Sequence, residues 1–536
     1  LGDVYKRQLQ YRENGGEGMT TAQICMMASI VVYLFAMVLI GVAYSKKTKN
    51  VSDFYLGGRK LGPLVTAMSA EASDMSSYLL MGLPGLALLT GTADVGWTVI
   101  GLAVGTYLNW LIVAKKLRNY SAHIGAITIP DYFSIRYKDD KRILMALTAL
   151  IIIIFFVPYT ASGFSACGKL FGTLFGVDYH IAMVVSAVII VGYTSLGGFN
   201  AASFTDFIQS IIMTIALIIV VIFGISKAGG IDAVVNNAKA LDGYLSMFTS
   251  YSRTAVTETG TSAPYSILTI VSTLAWGLGY FGMPHILLRF MAIENPNKIK
   301  TSRRVATVWV VISMAIAVII GIVGNALMNG GIISSVAADG TPADKETIII
   351  LVAKFLAEHG IVPALVAGVI LAGILASTMS TSDSQLLAAS SSVSENILGG
   401  LFKLNLSETA KMIVARVTLI VIALIGIVVA WDQNSSVFKI VSFAWAGFGA
   451  AFGPVMLLSL FWRRSNKYGA IAGVFAGGAM VFIWKFVISG LSPVLGVYEL
   501  LPAFLTGLVV NVVVSLLTPK PEKEITDAFD EAKKIK

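Results

Sequence analysis

The 536-residue sequence contains only two cysteines and four histidines, and only 13% of its residues are charged. Two isolated cysteines cannot form a disulfide framework, so we interpret Cys25 and Cys167, which lie in apolar runs, as small hydrophobic residues. The charged fraction is about half that of a typical soluble protein. Repeated apolar runs of about 18 residues or more predict an all-α, polytopic membrane protein and exclude a soluble multidomain enzyme.

The net charge of +9 does not indicate nucleic-acid binding, because the Lys and Arg residues are spread over alternate loops. We therefore expect membrane lipid, and no nucleic acid, as a partner. Thirteen transmembrane spans are predicted, at residues 22–45, 63–89, 95–114, 142–171, 179–197, 204–227, 265–292, 304–329, 362–395, 409–431, 436–462, 466–489 and 498–518. The apolar segment 347–357 is too short to cross, and we interpret it as a helix lying on the surface.

Basic residues also predict the orientation of the chain. They are frequent in loops after odd-numbered spans, as in Lys46, Lys47 and Lys49, and scarce in loops after even-numbered spans. Because basic loops remain in the cytoplasm, we expect the N-terminus outside and the C-terminus inside. The expected division is a non-native or disordered extension (1–18), a membrane domain (19–518) and a cytoplasmic tail (519–536).

The second span contains residues that do not belong in an apolar helix. Glu71 and Asp74 stand among small hydroxyl residues in the stretch 70–78. A charge at the bilayer centre costs at least about 2.5 kcal/mol, so such residues usually face a cavity or an ion route. We interpret the span as a broken helix whose unwound centre, residues 72–77, binds an ion.

The seventh span is interrupted by three glycines and a proline in the stretch 276–284. The two breaks are five spans apart, so units at 63–227 and 265–462 would have opposite orientations in the membrane. Paired broken helices in inverted repeats indicate the binding site of a secondary transporter.

A third polar cluster, residues 377–385, lies in the ninth span and is too rich in hydroxyl groups, with Asp383, to be only a packing face. We expect the hydroxyls of Ser380 and Thr381, together with carbonyl groups freed in residues 72–75, to bind sodium. Neutral oxygens suit a monovalent ion that must also leave, whereas a carboxylate cage would favour calcium. Sodium is the only metal ion expected, as a transported ligand, and no cofactor is expected.

Two further acidic residues have less defined roles. Asp206, near the start of the sixth span, is equally well interpreted as part of an ion site or as a helix cap near the membrane interface. Glu71 would pair with a neighbour or line water.

Four aromatic residues lie near the two breaks. Trp276 and Tyr280 are spaced i, i+4 and share one face, Tyr78 follows the first break, and Tyr159 lies in the middle of the fourth span. Core packing explains any one of them, but all four together favour a pocket for a small solute with an apolar body and a cationic nitrogen. The amide groups at the start of a broken helix would suit a carboxylate.

At these residues the sequence resembles the solute:sodium symporter family, and within it the bacterial sodium/proline symporters, from about residue 19 to the C-terminus. The motifs that carry the resemblance are 53–59 (DFYLGGR), 72–76 (ASDMS), 128–132 (TIPDY), 197–199 (GGF), 276–282 (WGLGYFG), 284–285 (PH) and 379–381 (MST). The resemblance implies a LeuT-type fold with an inverted five-helix repeat, alternating access and a location in the bacterial cytoplasmic membrane.

The resemblance also implies roles for individual residues. Sodium would bind the carbonyls of Ala72, Met75 and Ser377 and the hydroxyls of Ser380 and Thr381. Asp74 and Ser76 would support coupling to sodium. The positions that match those implicated in proline binding are Tyr159, Trp276, Tyr280 and Pro284.

Two positions depart from the family pattern. Tyr78 stands where relatives carry Trp, which would alter the size of the pocket. Asp383, followed by Ser384, stands where relatives often carry Ser, close to where some members hold a second sodium with the counterpart of Asp206. A second cation, either sodium or a proton, is therefore left open.

From these observations we predict sodium-driven uptake of L-proline and no enzymatic activity. One alternative keeps the architecture and changes the solute to another amino acid, pantothenate or a sugar. A second, less favoured alternative is a channel or a transporter-like sensor. The short segment after Thr518 argues against a sensor, because it is too small for a signalling domain.

Overall fold

The computed structural model describes residues 19–45, 50–337, 339–404 and 406–534. The predicted extension 1–18 and the three lysines after the first span lie outside the described residues. The described chain is almost entirely helical, apart from an antiparallel hairpin of β1 (Thr249–Ser252) and β2 (Thr261–Pro264). Long apolar segments form helices because backbone N–H and C=O groups in lipid must bond within their own segment.

Twenty α-helices occur in the described residues. They are α1 (Thr21–Ser45), α2 (Val51–Leu56), α3 (Pro63–Ser77), α4 (Leu83–Thr90), α5 (Thr92–Leu108), α6 (Ala114–His123), α7 (Ile129–Arg136), α8 (Ile143–Phe175), α9 (Tyr179–Lys227), α10 (Ile231–Lys239), α11 (Ile267–Leu274), α12 (Pro284–Ala292), α13 (Ile299–Asn329), α14 (Ile348–Ala357), α15 (Ile361–Ser391), α16 (Glu408–Val429), α17 (Val437–Phe461), α18 (Lys467–Ile483), α19 (Leu500–Leu517) and α20 (Lys523–Lys534).

The second predicted span is broken, but over a shorter stretch than expected. Helix α3 is interrupted at Ser76, whose φ of 48° and ψ of −168° are not helical, a conformation that costs free energy for a residue other than glycine. A π-helical turn, Tyr78–Gly82, then leads into α4. The prediction that residues 72–75 are themselves unwound is wrong, because the non-helical φ and ψ are confined to Ser76.

The seventh predicted span is also broken. Helix α11 gives way to a 3₁₀ segment, Ala275–Phe281, and the helix then restarts as α12 with a bend of 45°. Pro284 suits the first position of α12 because its nitrogen has no hydrogen to donate. Gly279 is required for close packing, since a Cβ there would lie 2.0 Å from Nε1 of Trp445.

The fifth and sixth predicted spans are two parts of one long helix. Helix α9 changes direction at Gly198, whose φ of 62° and ψ of −164° interrupt it. A Cβ at this position would lie 2.7 Å from the ring of Phe54 and would also be strained by the positive φ. Asp206 consequently lies inside the second part of α9 rather than at its start, so its interpretation as a helix cap is wrong.

Ten helices of the described residues are long and apolar enough to cross a membrane, or eleven if the bent pair α11–α12 counts as one span. The two other predicted spans correspond to the broken segment α3–α4 and to a shorter apolar helix, Tyr179–Ser195. The count of thirteen therefore stays a prediction, as does the division into core repeats at 63–227 and 265–462.

The predicted helix at 347–357 is present as α14, but it does not lie on the surface. Ile348, Ile349 and Ile350 are fully buried, while Lys354 is exposed. The apolar residues cover most of the circumference of this short helix, so it is packed among other helices with only its basic side outward.

Glu346, two residues before α14, holds several elements together. Its carboxylate is only 1% exposed and accepts a hydrogen bond from Nζ of Lys169 at 2.8 Å. It also accepts from the hydroxyl of Ser436 at 2.7 Å and from the N–H groups of Val437 and Phe438, both at 3.1 Å. A carboxylate at this place satisfies the unpaired N–H groups at the start of α17.

We expect the substitution Glu346→Gln to destabilise the purified protein, by about 3 kcal/mol, because it removes the charge opposite buried Lys169. The double variant Lys169→Met with Glu346→Gln should lose less stability than the two single variants added together. Thermal unfolding in detergent measures the stability of Glu346→Gln, Lys169→Met and the double variant. Asp344→Asn, which removes the more exposed partner of Lys169, is the control with a smaller expected effect. Strictly additive losses would contradict the ion-pair interpretation.

Candidate functional site

The polar turn of α15 lies directly against the break in α3. The hydroxyl of Ser380 donates to the carbonyl oxygen of Ala72 at 2.9 Å and lies 3.2 Å from that of Ser377. Thr381 donates to the same Ser377 carbonyl at 3.1 Å. Four of the five residues predicted to bind sodium are thus joined by hydrogen bonds, and all four are buried.

Met75, the fifth predicted sodium residue, is buried at the same break, and its carbonyl accepts the N–H of Tyr78. In an unbroken helix that N–H would bond to the carbonyl of Asp74, which instead accepts the hydroxyl of Tyr159 at 3.1 Å. The Ala72 carbonyl accepts the hydroxyl of Ser380, which comes from another helix. At the break, the carbonyl oxygens of Ala72 and Asp74 therefore accept hydroxyl groups from other helices, although the residues that carry them remain helical.

The carboxylate of Asp74 connects the two helix breaks. Its Oδ2 atom accepts a hydrogen bond of 2.6 Å from the hydroxyl of Tyr280, in the 3₁₀ segment. Its Oδ1 atom is buried without a hydrogen-bond partner among the described residues. The hydroxyl of Ser76 accepts the N–H of Tyr78 at 3.1 Å. Asp74 thus links the oxygen-rich turn to the aromatic residues of the second break.

The predicted aromatic residues do come together. The rings of Tyr78 and Trp276 are stacked with centroids 5.7 Å apart. The ring centroid of Phe438 lies 5.7 Å from that of Tyr78 and 5.6 Å from that of Trp276. The ring of Tyr498 stacks on that of Trp276 with centroids 4.9 Å apart. Pro284 is buried at the start of α12, close in sequence to these aromatics.

Three aromatic members of this cluster were missed from the sequence: Phe438, Trp445 and Tyr498. Trp445 donates from Nε1 to the carbonyl of Trp276 at 2.8 Å, and its ring is 5.0 Å from that of Tyr280. The signal that could have identified Trp445 is the stretch 444–449, in which aromatic residues alternate with small ones as they do in the seventh span.

A second buried polar network contains Asp206. Its Oδ2 atom accepts from the hydroxyl of Ser69 at 2.7 Å and from Nη2 of Arg289 at 3.0 Å. Arg289 also donates to the hydroxyl of Ser384 at 2.5 Å. Arg289 was missed from the sequence, although a basic residue inside a predicted span was a signal of function.

Asp383 is adjacent to this network but bonds elsewhere. Its Oδ2 atom accepts the hydroxyl of Tyr193, and its Oδ1 atom lies 3.2 Å from the hydroxyl of Ser384. Ser384 also donates to the carbonyl of Ser380 at 2.9 Å. The second network is therefore joined to the candidate sodium site through one turn of α15.

Glu71 does not join either network. Its Oε1 atom accepts the indole N–H of Trp110 at 2.9 Å. This agrees with the prediction that Glu71 pairs with a neighbour.

Among the described residues, no group of three or more His, Cys, Asp or Glu side chains converges as a metal site would.

The chain is similar to known proteins over most of its length. A profile described as "Sodium:solute symporter family" matches residues 54–477. The chain is 41% identical to the "High-affinity proline transporter PutP" of Bacillus subtilis over 496 residues, which cover 92% of this chain and 98% of that protein. It is 41% identical to the "Sodium/proline symporter" of Haemophilus influenzae over 515 residues, covering 95% and 97%, and 39% identical to that of Escherichia coli over 508 residues, covering 95% and 96%.

Two solved structures share the fold. A sodium-coupled sialic acid symporter in a substrate-bound outward-open state has a TM-score of 0.75 at 20% identity, covering 93% of this chain and 99% of that one. A nucleobase-cation-symport-1 family transporter in a closed conformation has a TM-score of 0.54 at 15% identity, covering 90% and 100%. The predicted all-α, LeuT-type fold is confirmed. The chain is a multi-pass membrane transporter rather than an enzyme, and it belongs to the sodium:solute symporter family.

Proposed function

We propose that this protein takes up L-proline together with sodium across the bacterial cytoplasmic membrane, by alternating access. The observation that carries the sodium part is the hydrogen bond of Ser380 to the Ala72 carbonyl, because it brings hydroxyl and carbonyl oxygens together beside a helix break. The solute is inferred from the relatives, which match nearly the whole chain and are named as proline transporters or symporters.

Sodium binds, in this proposal, among the carbonyls of Ala72, Met75 and Ser377 and the hydroxyls of Ser380 and Thr381. The two hydroxyls now donate to carbonyls, and they would rotate to offer lone pairs to an ion. The hydroxyl and carbonyl oxygens are uncharged, which suits reversible binding of a monovalent cation. Asp74 and Ser76 support coupling because both belong to the same break. Sodium is the only ion that the proposal requires, and no cofactor takes part.

Proline binds between the break in α3 and the aromatic cluster. Trp276, Tyr78 and Tyr280 offer ring faces to the pyrrolidine and its cationic nitrogen, and Tyr159 lies beside Asp74 at the sodium end. The start of α12 after Pro284 offers a helix N-terminus to the carboxylate. Tyr280 also contacts Asp74, so solute and sodium would act on one hydrogen-bonded unit.

The orientation of the chain is part of the proposal. The N-terminus lies outside and the C-terminus in the cytoplasm, with the membrane domain at 19–518 and the cytoplasmic tail at 519–536. The support is the enrichment of Lys and Arg in alternate loops.

The decisive experiment uses purified protein in proteoliposomes with an imposed inward sodium gradient. Labelled L-proline should accumulate above its equilibrium concentration and should not do so with potassium in place of sodium. Competition by other amino acids, pantothenate and sugars tests the solute. Uptake that stops when the proline concentrations inside and outside are equal would indicate passive flux. Stronger competition by another solute would identify that solute, instead of proline, as the substrate.

Ser380→Ala and Thr381→Ala should each raise the sodium concentration for half-maximal uptake by about tenfold or more, which corresponds to about 1.4 kcal/mol of lost sodium binding. Each variant loses one proposed oxygen ligand. Initial uptake rates at varied sodium measure the effect. Ser390→Ala is the matched control, because this serine lies on the same helix and bonds to the carbonyl of Ala415. Unchanged sodium dependence in both variants would remove the site assignment.

Tyr280→Phe should weaken both sodium and proline binding, because it removes the hydroxyl that donates to Asp74 while keeping the ring. Trp276→Phe should weaken proline binding and leave sodium affinity in the absence of proline nearly unchanged. Calorimetric titration of sodium and of proline into each purified variant separates the two effects. A Tyr280→Phe variant with normal sodium affinity would show that the Asp74 contact does not serve the ion.

A further inference from the structure

A groove of about 440 Å³ lies where α6, the end of α17 and α20 meet, and the proposed function leaves it without a role. Its floor is apolar. Leu111 and Ile112 come from the π-helical turn before α6, and Leu460 and Phe461 come from the last turn of α17. Leu111 and Phe461 are exposed and belong to segments that are long and apolar enough to cross a membrane. The floor of the groove is therefore continuous with the lipid-facing surface.

Helix α20 forms the opposite wall, and one aromatic residue anchors it. Phe529 is only 1% exposed, and its ring makes an edge contact with that of Tyr120 on α6, with centroids 6.5 Å apart. The guanidinium carbon of Arg136 lies 5.1 Å from the centre of the same ring. The helix is thus fixed against α6 by a buried side chain.

The acidic residues of α20 form ion pairs outside the groove. Glu524 pairs with Lys138 at 2.6 Å, and Asp530 pairs with Arg463 at 2.9 Å. None of the acidic residues of α20 lines the groove. The wall that α20 presents to the groove therefore carries no negative charge.

Three exposed lysines stand around the groove: Lys115 and Lys116 on α6, and Lys533 on α20. Nζ of Lys115 donates to a neutral partner, Oδ1 of Asn297, at 3.0 Å. Nζ of Lys116 and of Lys533 lie 4.7 and 4.6 Å from the centres of aromatic rings that line the groove. In the described part of the chain, no carboxylate pairs with any of the three. The rim thus carries three uncompensated positive charges above an apolar floor.

We propose that this groove binds an anionic phospholipid, with its phosphate between the lysines of α6 and Lys533 of α20 and an acyl chain along Leu111 and Phe461. A negative charge at the head of an apolar chain is complementary to a basic rim above a lipid-facing floor. A soluble anion would use the rim but not the floor. A zwitterionic phospholipid would bring a positive charge of its own to the rim.

A lipid bound in this way would join α6 to α20. Like charges gathered around one groove repel one another, and a phosphate between them removes that repulsion. Because a ligand that binds only the folded state stabilises it, anionic lipid should stabilise the protein. This consequence depends on the chain being a membrane protein and not on the solute that it carries.

The test uses the purified protein, delipidated in detergent, and measures thermal unfolding over a range of dioleoylphosphatidylglycerol concentrations. We expect a saturable rise of several degrees in the unfolding temperature. Dioleoylphosphatidylcholine, inorganic phosphate and glycerol 3-phosphate, added at the same concentrations, should each have little effect.

A triple variant tests the position of the site. Lys115→Gln, Lys116→Gln and Lys533→Gln together should raise the phosphatidylglycerol concentration for half-maximal stabilisation by about tenfold or more. The matched control is the triple variant Lys300→Gln, Lys523→Gln and Lys534→Gln. It removes the same charge, including two lysines of α20, but none of its residues lines the groove, so it should behave as the wild type. Replacement of the three groove lysines by arginine, which keeps the charge, should preserve the response.

Each result supports or overturns the proposal. Equal stabilisation by phosphatidylcholine would show that only apolar contact matters, and equal stabilisation by inorganic phosphate would identify a soluble anion as the ligand; either result would overturn the lipid site. An equal loss of response in the control triple variant would also overturn it. If the glutamine triple variant does not fold, Lys116→Gln alone should raise the half-maximal concentration severalfold, and an unchanged value would contradict the proposal. A failure to transport proline would leave these results unaffected.

Discussion

The carbonyl oxygens beside the break in α3, which bond to hydroxyl groups of other helices, are the constraint on which the candidate site depends. A carbonyl without a partner in a dry interior costs free energy, and lipid supplies no water to satisfy it. Hydroxyl groups from other helices donate to these carbonyls: Ser380 donates to the carbonyl of Ala72, and Tyr159 donates to that of Asp74. These bonds are exchangeable for an ion, because a hydroxyl that donates to a carbonyl can turn and offer its lone pair alongside it. The same feature that would destabilise the helix thus offers oxygen ligands to the cation that is proposed to bind here.

The Asp74–Tyr280 contact explains why two ligands would act together. Tyr280 lies in a 3₁₀ segment whose backbone is packed tightly on Trp445, and Asp74 lies one residue from Met75 at the opposite break. A cation beside Ala72 would favour an ionised Asp74, and an ionised Asp74 holds the Tyr280 hydroxyl more firmly. A solute bound against Tyr280 would therefore contact a better-ordered ring when the ion is present. By thermodynamic linkage the solute must then raise the affinity for the ion by the same factor.

The sequence was sufficient to locate the breaks, the polar turn of α15 and four aromatic residues of the site, because each is a local departure from an apolar helix. It did not show that the break in α3 is confined to Ser76, or that α9 runs through the predicted loop with a bend at Gly198. Local sequence does not show which serine, or which of several glycines, tertiary packing holds at a positive φ. Phe438 and Tyr498 could not be assigned from sequence, because nothing local distinguishes a ring that faces Trp276 from one that faces lipid. The burial of α14 was likewise a tertiary effect. Apolar residues around most of a short helix indicate that it is buried, but the pattern does not show which helices pack against it.

Two buried ion pairs, Lys169–Glu346 and Arg289–Asp206, lie toward opposite ends of α15. Helices α8 and α15 run antiparallel, since Thr160 bonds to Gln385 and Gly163 packs on Thr378. Lys169, about 15 Å beyond Tyr159 along α8, therefore lies toward the start of α15, whereas Ser384 and Arg289 lie toward its end. Separating either pair in a dry interior would cost several kcal/mol, and water that enters with the opening reduces that cost. If opening toward one side of the membrane hydrates the pair on that side only, opening both sides at once would weaken both pairs, and the placement of these charges would then favour single-sided access.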